Sequence, residues 1–198
     1  MIGPSPLPAC PPRAGSILLF VYGRHTVPDA IFDAGADMLN IALSEISSQN
    51  ERGAAIIGAA LVEKYLTLVI AHRFVELAET EQNRLFEGSG PLATFAAKIQ
   101  IGFAMGIFGR NIRNDLTIVH NIRDGFVHAP DPLAFESDEI AVQCAQLSSS
   151  LRFTGSPRAD ADARTRYLAT VEFLVSALVG ASLARHDTRP TPLGLLEF

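Results

Sequence analysis

Cysteine is scarce in this chain, and tryptophan is absent. The two cysteines lie far apart, Cys10 in a proline-rich stretch and Cys144 in a helical pattern. This placement does not fit the disulfide framework of a small secreted protein, so we expect a reduced, cytoplasmic protein. The sequence also has no His-Glu-x-x-His motif and no paired cysteines, and we expect neither a metal nor another cofactor.

Positive charge is limited as well. The chain has 16 Lys and Arg against 21 Asp and Glu, which gives a formal net charge of -5. Because nucleic-acid binding requires clustered positive charge, this balance argues against a general affinity for DNA or RNA. No apolar run is expected to reach the length that crosses a membrane, so a membrane partner is not expected either.

Period-two alternation is missing, whereas apolar residues recur at three- and four-residue steps through much of the chain. This pattern predicts an all-α fold, a single compact bundle of about six helices within residues 26–190. Residues 1–25 are proline-rich and are expected to form a flexible arm, and residues 191–198 a C-terminal tail. Helices are predicted at 28–48, 51–79, 91–106, 110–127 and 160–185, with a short one from 137.

The end of the predicted 110–127 helix concentrates polar residues. Arg123, Asp124 and His128 all lie off its apolar stripe. Two interpretations remain open, a stabilised helix end or a functional site. In the first, His128 interacts with the helix dipole, and Arg123 pairs with an acid. Glu63 and Asp124 are the expected acids, because a carboxylate half buried on the alanine-rich 51–79 helix needs a partner.

Two patterns in this region imitate known sites. His120, Asp124 and His128 are spaced by four, so they share a helix face that could ligate a metal, but no further ligands support it. Residues 96–109 followed by 110–114 imitate a helix-turn-helix, with polar residues placed to contact bases. The turn is poor and both helices look buried, so an ordinary antiparallel helix pair is the favoured interpretation.

A glycine-rich loop precedes the predicted 91–106 helix. Gly88, Gly90 and Pro91 could expose a helix N-terminus that holds an anion. The signature of a nucleotide-binding P-loop is missing, however. We therefore expect a structural turn, with Pro91 in the first turn of the helix.

Three segments together resemble the mannitol operon repressor (MltR-like) family: residues 52–63, 85–99 and 122–128. The middle one is the most specific, because it carries a Phe-Glu-Gly-Ser-Gly-Pro-Leu run followed by Lys98. The resemblance covers roughly residues 30–150. It implies a compact all-α cytoplasmic bacterial protein that regulates transcription of sugar-alcohol uptake genes without an obvious DNA-binding motif. The chain departs from the family pattern at two positions. The family usually has asparagine where this chain has Asp124, and a small or hydroxyl residue where it has Ala96. The change at Asp124 alters the charge of the implied site.

The same helix end is also similar, more weakly, to the HEPN superfamily of nucleotide-binding proteins and ribonucleases. Arg123, Asp124 and His128 match its short motif. In that class two subunits form one cleft, His128 would move the 2′-hydroxyl proton, and Arg123 would stabilise the phosphorane. This metal-independent ribonuclease is the alternative to a regulator, and RNA is a partner only under it.

The main expectation is a transcriptional regulator that acts through protein contacts and has no enzymatic activity. A homodimer is expected, with a protein partner that could be a DNA-binding regulator, and with weak or absent direct DNA binding. The residues expected to form a binding or structural polar cluster are Arg52, Glu63, Lys98, His120, Asn121, Arg123, Asp124 and His128.

Overall fold

Seven helices make up the part of the chain that the computed structural model describes, residues 40–148 and 161–183. No strand occurs within these two ranges, so the all-α prediction is confirmed. The proline-rich arm, the start of the first predicted helix, Cys10 and the C-terminal tail lie outside the described residues. The helices are α1 (40–48), α2 (Glu51–Ala71), α3 (Glu79–Phe86), α4 (Phe95–Ala104), α5 (Arg110–His128), α6 (Asp138–Ala145) and α7 (Ala163–Leu183).

Helix α2 is the central element and packs on α4, α5 and α7. It begins where the Asn50 side chain accepts a 2.8 Å hydrogen bond from the Gly53 amide, which satisfies a free donor of the first turn. Small residues let α7 approach closely. A Cβ at Gly58 would lie 3.3 Å from the Tyr167 ring. The Tyr167 hydroxyl donates a 2.7 Å hydrogen bond to the Ala55 carbonyl, which fixes the two helices against each other.

The expectation that no segment reaches membrane-crossing length was wrong for α2. By length and composition alone this 21-residue helix could cross a membrane. Its contacts give a different reason for its apolar character, because α4, α5 and α7 bury three of its sides. Ala54, Val62 and Leu66 are fully buried there. A helix covered on several sides in a protein core needs apolar residues around much of its circumference.

The predicted 51–79 helix is shorter than expected, and the helix that follows it was not predicted. Helix α2 ends at Ala71, and α3 begins at Glu79 after a bend. Neither glycine nor proline occurs between them, so the chain carries no local stop signal there. The bend brings the Phe74 and Phe86 rings together at 6.0 Å between centroids.

Helix α4 begins at Phe95, not at Pro91 as predicted. The Thr94 hydroxyl caps it by accepting a hydrogen bond from the Ala97 amide at 3.2 Å. The preceding loop closes on α3, where the Leu92 amide donates to the Leu85 carbonyl at 2.9 Å. A Cβ at Gly90 would lie 2.5 Å from two carbonyl oxygens of α3, so only glycine fits. The loop of Gly88, Gly90 and Pro91 is therefore a turn that closes the end of α3.

Helix α5 buries the predicted stripe of Leu116, Val119, Ile122 and Phe126. At its C-terminal end an aromatic stack links it to the rest of the core. Phe135 lies 5.0 Å from Phe126 and 5.0 Å from Tyr167, measured between ring centroids. The stack connects α5 and α7 through the segment that leads into α6. It leaves the other side of α5, which carries Arg123, facing α2 and α4.

Candidate functional site

Arg123 lies where three helices meet. It is in the penultimate turn of α5, beside the buried stripe but not part of it. Its Nη1 atom lies 3.2 Å from Glu63 Oε2 on α2, and its Nη2 atom lies 2.9 Å from Asp124 Oδ1. Both acids that the sequence offered as partners therefore pair with the guanidinium, and the predicted pairing is confirmed.

Glu63 joins Arg123 to a second cation. Its other carboxylate oxygen, Oε1, accepts a 2.7 Å hydrogen bond from Lys98 Nζ on α4. The Lys98 side chain is only 8% exposed, whereas those of Glu63 and Arg123 are 19% and 24% exposed. A buried ammonium needs a counter-ion at close range, so Glu63 is what allows Lys98 to lie there.

His120 completes the polar cluster. Its Nδ1 atom lies 3.2 Å from Arg123 Nη2, so in the neutral ring Nδ1 accepts and Nε2 carries the proton. Its Nε2 atom is 3.6 Å from Asp124 Oδ2. The Phe95 ring contacts both groups, edge to face with His120 at 5.6 Å and beneath the Arg123 guanidinium at 5.7 Å.

We name these five residues the Glu63–Arg123 cluster: Glu63, Lys98, His120, Arg123 and Asp124. Two carboxylates face two cations, so with neutral His120 the cluster carries no formal net charge. All three guanidinium nitrogens of Arg123 have partners. Nε bonds to Asp124, Nη1 bonds to Glu63, and Nη2 lies within hydrogen-bond distance of His120 Nδ1. Such a cluster can position three helices, but it offers no free cation to a phosphate.

Arg52 belongs to a different place. It lies in the first turn of α2, and its Nη2 atom donates a 2.8 Å hydrogen bond to the Ala129 carbonyl just after α5. The adjacent Glu51 accepts from the Phe135 amide at 3.0 Å and pairs with Arg164 of α7. Consecutive residues of α2 thus hold both ends of the α5–α6 connection. Sequence reasoning missed the Glu51–Arg164 pair, because nothing local links residues separated by 113 positions.

His128 and Asn121 are exposed and are not part of the Glu63–Arg123 cluster. No hydrogen bond or ion pair connects His128 to Arg123 in the described chain. His128 stands in the last turn of α5, where a basic residue complements the helix dipole. Within one subunit, the arginine and histidine of the ribonuclease motif therefore do not meet.

The structure also places the residues of the other sequence patterns. Within residues 40–148 and 161–183, no group of three His, Cys, Asp or Glu residues is placed to hold a metal. Arg113, in the helix-turn-helix imitation, stacks 4.7 Å over the Phe103 ring and bonds to Gln100, so it is tied to α4. Burial raises the pKa of the Cys144 thiol to about 12, so this cysteine stays protonated and unreactive at neutral pH.

The fold and the cluster together define a helical bundle in which paired charges join the central helices. No family model and no curated protein matches the chain. Among solved structures, the chain is similar to MtlR in the X-ray structure of the MtlR–HPr complex from Escherichia coli. The TM-score is 0.57 at 19% sequence identity, over 71% of this chain and 97% of that chain. At this identity the likeness concerns the fold, which both proteins share over nearly the whole MtlR chain.

Proposed function

We propose that this chain is a transcriptional regulator of the mannitol operon type that acts by binding a protein partner. The observation that carries the proposal is the fold likeness to MtlR, which extends over 97% of a chain found in a complex with HPr. The three sequence segments that resemble the MltR-like family agree with this assignment. A cytoplasmic, homodimeric protein that regulates sugar-alcohol uptake genes is part of the proposal.

The distribution of charge favours a protein partner over a nucleic acid. The formal net charge is -5, and Lys98 and Arg123 are paired with acids. Arg113 is stacked on Phe103. A chain with this net negative charge gains little from the counter-ion release that drives DNA and RNA binding.

The geometry of Arg123 and His128 does not favour the ribonuclease alternative. Its mechanism requires an arginine free to stabilise the charge of a phosphorane, together with a histidine in the same cleft. Here Glu63 and Asp124 occupy the Arg123 guanidinium, and His128 is exposed at the end of the helix. A phosphate would have to displace two carboxylates before it reached Arg123.

Isothermal titration of the full chain with purified HPr tests the proposal. We expect a 1:1 complex per protomer, and we expect duplex DNA in a matched titration to bind far more weakly than the roughly 10⁻⁸ M of specific DNA-binding proteins. Absence of any HPr complex would refute this proposal, and tight sequence-specific DNA binding by the isolated chain would replace it with a DNA-binding regulator. Light scattering on the same samples gives the oligomeric state.

A further inference from the structure

One side of α2 is apolar and exposed along most of its length. Ile57, Ala60, Lys64 and Leu68 are separated by three or four residues, so they lie along a single side of the helix. We name these four residues the α2 stripe. Ile57 and Leu68 are each 43% exposed. The stripe is about 16 Å long, at a rise of about 1.5 Å per residue.

Helix α5 extends this surface. The contacts of Arg52 with Ala129 and of Glu63 with Arg123 show that α2 and α5 run antiparallel. Ala60 lies about one turn before Glu63, and Val127 lies about one turn after Arg123. Because the helices are antiparallel, both residues are displaced from the ion pair toward the same end of the helix pair. Val127 is 47% exposed, so α5 also presents an apolar side chain to solvent at this end of the helix pair.

The charges of this surface are nearly all satisfied within the chain. The Glu63–Arg123 cluster borders the stripe, and its carboxylates and cations pair with each other. Lys64 differs, because it is exposed and none of the described acids lies within ion-pair distance of it. Apolar side chains with few unpaired charges are characteristic of the core of a protein interface.

Lys64 indicates which kind of partner fits. In a two-fold symmetric contact the same residues of both copies meet around the axis. Lys64 lies near the middle of the stripe, so pairing α2 with its own copy would bring two ammonium groups together. Like charges placed opposite each other disfavour an interface. A different protein with a carboxylate at this point would satisfy Lys64 instead.

We propose that the α2 stripe and Val127 form the docking surface for a different protein, which presents apolar side chains around a carboxylate. This inference rests on the proposed function, and it names the surface through which that contact is made. The Glu63–Arg123 cluster keeps the two helices of the surface in place. The homodimer expected for this chain then uses another face.

Three variants of the full chain test the surface with purified HPr as the probe. Ile57→Glu and Lys64→Glu should each raise the dissociation constant about tenfold or more, since central interface positions dominate binding energy. The matched control is Val142→Glu, because Val142 is 60% exposed on α6, which packs on α5 and α7. We expect the control to bind within about twofold of the wild type.

The outcomes separate the surface from the function. If the wild type binds HPr and both stripe variants bind equally well, the surface is wrong and the proposed function stands. If the wild type binds no HPr, the proposed function fails and this inference fails with it. A wild-type dimer that Ile57→Glu converts to a monomer would show that a second copy occupies the stripe. A large loss of thermal stability in Ile57→Glu would show that the chain itself covers it, and either result overturns the inference.

Discussion

Glu63 connects three helices through its two carboxylate oxygens. One oxygen binds the Lys98 ammonium of α4, and the other binds the Arg123 guanidinium of α5. Because the Lys98 side chain is almost fully buried, an uncharged residue at position 63 would leave its charge without a counter-ion. This explains why an acid occurs in a helix that otherwise presents alanine, valine and leucine to the core.

Arg123→Ala should lower the stability of the folded chain. Removing one partner of a buried pair typically costs roughly 3–5 kcal/mol, and we expect about 2 kcal/mol here because Arg123 and Glu63 are partly exposed to solvent. For a chain of this size that corresponds to a fall in melting temperature of about 4–8 °C. Thermal unfolding followed by circular dichroism measures it. Arg110→Ala, an exposed arginine on the same helix, is the control and should leave melting unchanged.

Glu172 on α7 gives a pH-dependent prediction. Burial raises the pKa of this carboxyl above its ordinary value of 4.5. Below that value both folded and unfolded chains hold the proton, so the group has no effect on stability. Above it the unfolded chain ionises more readily, and the folded state is destabilised. Glu172→Gln should therefore raise the melting temperature at about pH 7 and leave it unchanged near pH 4. An equal shift at both pH values would contradict this origin.

Single residues of the cluster could be predicted only where a local rule applied. The pairing of Arg123 with Glu63 followed from the cost of a half-buried carboxylate, and the contact with Asp124 followed from adjacency. The hydrogen bond between His120 and Arg123 depends on side-chain orientation in the packed helix, which the sequence does not specify. Whether these residues form a functional site in addition to a structural cluster stays a prediction.

At the level of elements, strong local signals predicted helices well and tertiary contacts changed their ends. Helix α5 begins at the predicted residue and ends one residue later than predicted, because Pro130 marks its limit. The end of α2 was placed too late and α3 was missed, because residues 72–78 carry neither glycine nor proline to mark a stop. The start of α4 was placed too early, since Thr94 caps the helix and Gly90 is confined against α3.

The contact between α2 and α7 can be tested at Gly58. A Cβ there would lie 3.3 Å from the Tyr167 ring and 3.3 Å from Val171, so a long side chain has no space. Gly58→Leu should cost about 1–3 kcal/mol through overpacking, although leucine is a better helix former than glycine. Chemical denaturation measures the loss. Ala60→Leu places the same side chain on the exposed side of the same helix, and a loss of equal size there would contradict the close approach of α7.

At the level of the whole molecule, fold and function differ in how far the sequence determines them. Three- and four-residue periodicity without strand alternation was enough to predict an all-α bundle, and the described helices confirm it. The likeness to MtlR at 19% identity shows that this packing tolerates extensive sequence change. A partner depends on exposed side chains such as Lys64 and Ile57, which packing does not constrain. The docking surface therefore required the structure.

The last prediction separates a regulator from a nuclease. The purified wild-type chain should cleave no single-stranded RNA in the presence of a chelator, because Glu63 and Asp124 pair with Arg123 and His128 lies apart from it. His128→Ala should change neither this result nor HPr binding, and its effect on stability should be small, within about 1 kcal/mol, since it removes an exposed helix-dipole contact. Gel analysis of a labelled RNA over time is the measurement. Chelator-resistant cleavage that His128→Ala abolishes would show that two subunits assemble the motif, and the ribonuclease would then replace the regulator.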